Sequence, residues 1–213
     1  MYPKVTAFLE ENDYPYAMNP SRIEAFSDAV IAIIITIMVL SLDVPSGHTF
    51  ASLHPLVSVF ANYLLSFVYL GVYWNNHHHL IRSTRKITGG ILWANLHLLF
   101  WLSLFPFFTG WVGSSGYAKV PTFMYGCDLL GAAIAYFILQ QLIIKSQGED
   151  SSLKRVIGRD IKGKLSPILY SAGIAFSLIL VPLGIAFYVI VAIMWVIPDR
   201  RLENYLASIP EES

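Results

Sequence analysis

Apolar residues in this chain come in long unbroken blocks, not in the alternation of a half-buried strand. Residues 22–42, RIEAFSDAVIAIIITIMVLSL, set the pattern. The first turns carry Arg22, Glu24, Ser27 and Asp28; an uncharged aliphatic run with the Thr36 hydroxyl inside it then continues to Leu42. A run of that length and composition predicts a bilayer-spanning helix, here over residues 25–42. Asp43, Pro45 and Gly47 break it. Further apolar blocks predict spans over residues 56–73, 91–112, 122–144, 166–181 and 185–197. The third contains Pro106, which removes a backbone donor and kinks a helix. A tight turn at Pro182-Leu183-Gly184 is expected to separate the last two. The fold class that follows is all-α: a polytopic membrane protein with six transmembrane helices. Residues 1–21 are expected to form an N-terminal segment, 22–205 the membrane domain and 206–213 a tail.

Composition agrees. Of 213 residues 55% are hydrophobic and 13% charged, about half the charged share of an ordinary soluble domain. Residues 1–20 are polar, acidic and proline-containing, unlike a signal peptide with its apolar core. The zero net charge gives no footprint for nucleic acid, and the single cysteine, Cys127, rules out an internal disulfide framework. Lysine and arginine sort by side. With six spans, only Lys119 of the fourteen falls on one face of the membrane. The richest loop, residues 145–164, carries Lys145, Lys154, Arg155, Arg159, Lys162 and Lys164. The positive-inside rule then places both termini in the cytoplasm.

Three constellations are candidates for chemistry. In the first helix, Asn19 or Ser21 can cap, Pro20 suits the first turn and Glu24 complements the positive end of the helix dipole. Arg22, Phe26 and Ala29 share a face, while Ser27 and Asp28 point elsewhere. A carboxylate at Asp28, inside an apolar run, calls for a partner. Trp74, Asn75, His77, His78, His79, Asn95 and His97 lie at matching depth, with a histidine the favoured one. An Asp28–histidine pair would also suit a proton relay, so the alternative function is a proton-coupled secondary transporter. The second constellation, His77-His78-His79, resembles a metal site only superficially. Neighbouring residues on a helix diverge and cannot converge on one ion, so neither a structural metal nor a cofactor is expected. In the third, Ala29, Ile33, Thr36, Ile37 and Leu40 line one face of helix one; periodicity alone is equally satisfied by lipid or helix contact. No nucleotide-binding, zincin or nucleophile-elbow motif is present, and the chain is not expected to be an enzyme.

Arg22-x-x-x-Phe26-Ser27-Asp28 at the start of the first helix is the RxxxFSD signature. YWNNHH ending at His78, NLHLLFWLSLFPFFTG from Asn95 and the later WVIPDRR accompany it. Together they resemble the transmembrane protein 175 family, the endolysosomal potassium channels and their prokaryotic relatives. The resemblance implies a homotetramer of six-helix subunits in a prokaryotic cell membrane, with four copies of helix one around a potassium-selective pore for monovalent cations. By offset from the motif it implies an apolar constriction at Ile33, Ile37 and Leu40, a hydroxyl layer at Thr36 and an inner hydrogen-bonded lock of Arg22, Phe26, Ser27, Asp28, His77 and His78. Asp43 would then stand at the outer mouth. The only ion implied is permeant K⁺. Prokaryotic members often carry leucine where this chain has the stiffer, β-branched Ile33 and Ile37.

Overall fold

The computed structural model describes residues 19–84, 86–148 and 160–197, and among these the chain is entirely helical. The helices are α1 (Pro20–Leu40), α2 (Val57–Arg82), α3 (Gly89–Ser103), α4 (Phe105–Ser114), α5 (Lys119–Ser146), α6 (Ile161–Ile179) and α7 (Val181–Val196); a 3-10 helix, Phe50–Leu56, leads directly into α2. The N-terminal residues before Asn19, the tail 206–213, and Lys154, Arg155, Arg159, Arg200 and Arg201 lie outside the described residues.

Helix starts follow from local chemistry. The Asn19 side chain accepts from the Ser21 amide at 3.1 Å, and Pro20 occupies the first turn, where its missing N–H is no loss. Thr88 caps α3 through the Ile91 amide, and Asp160 caps α6 through the Gly163 amide at 2.9 Å.

The third expected span is one rod with a kink. The Leu104 amide bonds to Trp101, three residues back, and Pro106 follows in the first turn of α4. Counting α3 and α4 together gives six rods among the described residues. Segments 20–40, 50–82, 89–114 and 119–146 are long and apolar enough to cross a membrane, and α7 is a shorter apolar helix.

Two boundaries differ from the sequence reading. The second rod does not end before the polar cluster: α2 continues through Trp74–His79 to Arg82. The turn between the last two helices is not at Pro182-Leu183-Gly184 but at Leu180 alone, with an extended backbone (φ −136°, ψ 93°). Pro182 starts α7, because a first-turn proline forgoes no helical hydrogen bond. Gly184 instead lets the two helices touch: a Cβ there would lie 2.8 Å from the Gly173 carbonyl oxygen and 2.9 Å from the Ser177 Cα.

The interior is built around tyrosines whose hydroxyls find backbone or side-chain partners. Tyr69 donates to the Tyr188 carbonyl at 2.5 Å, Tyr188 to the Thr122 carbonyl at 3.3 Å, and the Tyr125 and Ser66 hydroxyls lie 2.9 Å apart. Each hydroxyl satisfied in this way avoids the penalty of a bare polar group in an apolar interior. α1 packs on α2, α3 and α4, while α5, α6 and α7 form the other side of the bundle.

The starts of α1, α3 and α6 and the ends of α2, α5 and α7 share one end of the bundle. Gln147 donates to the Ser83 carbonyl at 2.6 Å, joining the end of α5 to that of α2, and Lys162 donates to the Ile197 carbonyl at 2.6 Å. Arg22, Arg82, Lys86, Lys145, Lys162 and Lys164 therefore gather at that end, opposite Lys119.

Candidate pore helix and its inner lock

α1 buries only a narrow stripe. Ile23, Ser27, Ile31, Ile34 and Met38 recur every three or four residues and are all buried against the bundle. The opposite face is bare: Ile33 is 58% exposed, Ile37 48% and Leu40 77%. Arg22, Phe26 and Thr36 are exposed on it as well. An exposed aliphatic face on a membrane helix must meet lipid, another subunit or a pore. Thr36 donates its hydroxyl hydrogen to the Ala32 carbonyl at 2.8 Å, which leaves its oxygen lone pairs directed away from its own helix. Asp43 stands exposed beyond the end of α1.

An open apolar groove of about 540 Å³ runs beside this face. Val30, Ile33 and Ile37 line one wall and Ser103, Pro106 and Phe107 the other, so the kink between α3 and α4 faces the aliphatic segment of α1.

The N-terminal end of α1 is held by polar contacts that differ from the expected ones in their pairing. Trp74 Nε1 donates to Asp28 Oδ1 at 3.1 Å. One turn below, His78 Nδ1 meets Glu24 Oε1 at 2.6 Å. His77 is fully buried with its Nε2 2.7 Å from Asn95 Oδ1, and the Asn95 amide donates to the Ser27 hydroxyl at 3.0 Å. Asn95 thus ties α1, α2 and α3 together. The favoured pairing of Asp28 with His77 or His78 does not form: the indole reaches the carboxylate, His77 is paired with Asn95 and His78 with Glu24. Glu24 serves as the partner of His78 instead of sitting in the first turn against the dipole. Arg22 and Phe26 face outward from the bundle, and among the described residues the Arg22 guanidinium is not paired. His97 also points outward, accepting from Trp101 Nε1 at 3.0 Å.

The Glu24–His78 rung was missed by sequence reasoning. Its signal was nonetheless present: Glu24 and Asp28 are four apart on one helix, Trp74 and His78 four apart on the next, and such pairs stack into two successive rungs. Asp128 of α5 is inside the bundle at 1% exposure, with neither carboxylate oxygen hydrogen-bonded among the described residues. No group of three or more His, Cys, Asp or Glu side chains among the described residues could hold a metal ion.

Residues 22–106 match the family model of the endosomal/lysosomal potassium channel TMEM175. A potassium channel from a Chryseobacterium species is 52% identical over 189 residues, covering 89% of this chain and 98% of the relative. A potassium channel from Chamaesiphon minutus is 31% identical over 131 residues, 57% of this chain and 64% of that one. The fold is similar to the crystal structure of a lysosomal potassium-selective channel TMEM175 homolog from Chamaesiphon minutus, with a TM-score of 0.73 and 26% identity over 84% of this chain and 97% of that chain. With the signature on α1, the six-rod bundle and a near-full-length relative at this identity, the chain belongs to the TMEM175 family of potassium channels.

Proposed function

We propose that this protein is a potassium-selective channel of a prokaryotic cell membrane, formed by four copies of the chain around a pore lined by α1. The carrying observation is the bare face of α1: the subunit buries Ile31, Ile34 and Met38 and leaves Ile33, Ile37 and Leu40 exposed on one side. The potassium-channel relatives support the ion.

Four copies of that face turned inward would place rings of Ile33, Ile37 and Leu40 around the axis. Such rings exclude water unless the helices separate, so they gate by dewetting. Four Thr36 oxygens, their hydrogens committed to Ala32 carbonyls, would offer lone pairs to a partly dehydrated cation. Four Asp43 carboxylates would concentrate cations at the outer mouth. The basic end of the bundle, with the start of α1 and the end of α7, would face the cytoplasm. The contacts of Ser27, Asp28, His77 and His78 would fix the inner ends of the pore helices, with Arg22 and Phe26 turned toward the neighbouring subunits. No cofactor enters; K⁺ only passes through. The proton-coupled transporter would need Asp28 against a histidine, and that carboxylate is bonded to Trp74.

Potassium flux into proteoliposomes tests the reading. Ile33→Asn is expected to raise K⁺ flux several-fold and lower the K⁺/Na⁺ ratio, since a ring of amides no longer expels water. Unchanged flux and selectivity would remove Ile33 from the constriction.

A further inference from the structure

One buried acid has no part in the pore or in the lock around α1. Asp128 lies nearer the Lys119 end of α5 than its basic end, inside the bundle, and both of its carboxyl oxygens lack a hydrogen-bond partner among the described residues. An acid in a membrane span is rare enough to ask what keeps it there.

Its place on the helix answers in part. Tyr125, Asp128 and Gly131 follow one another at spacings of three and share a face of α5. The two flanking members hold the kink of the third rod. The Tyr125 ring meets the Phe105 ring edge-on, with centroids 6.3 Å apart. Gly131 is seated on the Trp101 indole, where a Cβ would come within 2.5 Å of the ring. Asp128 stands between these two contacts, and Trp101 and Phe105 bracket the break at Leu104. The other side of the same kink, through Ser103, Pro106 and Phe107, lines the groove beside α1.

No cation answers this carboxyl. Its electrostatic neighbours are Tyr73 on α2, and Tyr125 and Cys127 on its own helix, groups that are uncharged over the physiological range. The Tyr125 hydroxyl is already paired with Ser66. From α3, His97 is turned outward and accepts from Trp101; α4 brings the Phe105 ring. α6 and α7 bring Ile174 and Tyr188 against Gly126, with the Tyr188 hydroxyl spent on the Thr122 carbonyl. Lys119 is exposed at the start of α5. An ionised carboxylate without a counter-charge or a hydrogen bond is among the costliest groups to bury, and the neutral acid removes most of that cost.

We propose that Asp128 is a proton-binding site: it stands in the bundle as a neutral carboxylic acid, and loss of that proton loosens the packing of the α3–α4 kink on α5. The sign of the effect follows from linkage. In the unfolded chain an aspartic acid gives up its proton from about pH 4 upward. In the folded bundle Asp128 keeps it, so each step up in pH favours the unfolded chain and the bundle loses stability as pH rises.

The experiment uses the full chain purified in detergent. At neutral pH its infrared spectrum is expected to show the C=O stretch of a protonated carboxyl, shifted in heavy water and absent from Asp128→Asn. Asp128→Asn keeps the shape of the side chain and has no proton to lose. It is expected to melt several degrees above wild type at about pH 8, with the gap closing toward about pH 5. Asp128→Leu takes its place in both measurements should the amide variant fail to accumulate. A wild-type spectrum without this band, a band that persists in the variant, or a variant that melts below wild type by the same margin at every pH would overturn the proposal. Neither readout involves ion flux, so the proposal stands or falls separately from the channel reading.

Discussion

At the residue scale, the inner lock shows how one buried amide organises three helices. Asn95 is 2% exposed and faces His77 and Ser27, each fully buried. All three side chains are polar, and each is tolerable in an apolar interior only through the others. Asn95→Ala therefore removes a partner from two buried groups at once. Each group left unsatisfied costs about 1–3 kcal/mol, so the solubilised protein should lose thermal stability measurably more than with Trp74→Phe, which frees only the partly exposed Asp28 carboxylate. A comparison of the two melting temperatures in one detergent checks this; equal losses would mean that Asn95 is not the hub. The participants could be named from the sequence because polar residues are conspicuous in apolar spans. The pairing was not legible, because it depends on helix rotation. The sequence places Trp74 and three histidines within the six positions 74–79, and only the phase of α2 decides that the indole meets Asp28 while His78 meets Glu24.

At the element scale, hydrophobic blocks located the helices well and their ends less well. The WNNHHH stretch looked like the end of a span by polarity, yet it continues α2 because its buried face finds partners on α1 and α3. Pro106 was legible as a kink, since a missing N–H acts wherever a proline falls inside a helix. Pro182 was misplaced into a turn because the same residue also suits a first helical turn, and the choice rests on how closely α6 and α7 approach. That approach is set by Gly173 and Gly184. A Cβ on Gly184 would meet backbone atoms under 3.0 Å away, and backbone cannot yield as a flexible side chain can. Gly184→Ala should therefore destabilise the α6–α7 pair by roughly 1–3 kcal/mol, seen as an earlier thermal transition; an unchanged transition would show that the helices separate freely.

At the scale of the whole molecule, a single chain leaves unfinished what the sequence begins. Charge sorting and the shared end of α1, α2, α5 and α7 make one basic face, and α1 exposes its aliphatic side at the edge of the bundle. The side toward which that face turns was not legible from periodicity, because lipid and pore walls both accept isoleucine. The proposed tetramer would turn that face inward. The mass of the detergent-free oligomer should be roughly four times 23.9 kDa, and a monomeric mass would contradict the assembly.

The central claim is that Ile33, Thr36, Ile37 and Leu40 line the ion path, and cysteine accessibility under current recording tests it most directly. In a Cys127→Ala background, single cysteines at these positions would be exposed to a charged, water-soluble thiol reagent while K⁺ current is measured. Reaction at Thr36→Cys and Leu40→Cys should block the current and be slowed by high K⁺, whereas Ile34→Cys, on the buried stripe, and Trp93→Cys, on the outer surface of α3, should leave it intact. Persistent current after complete modification of Thr36→Cys and Leu40→Cys would contradict a pore lined by α1.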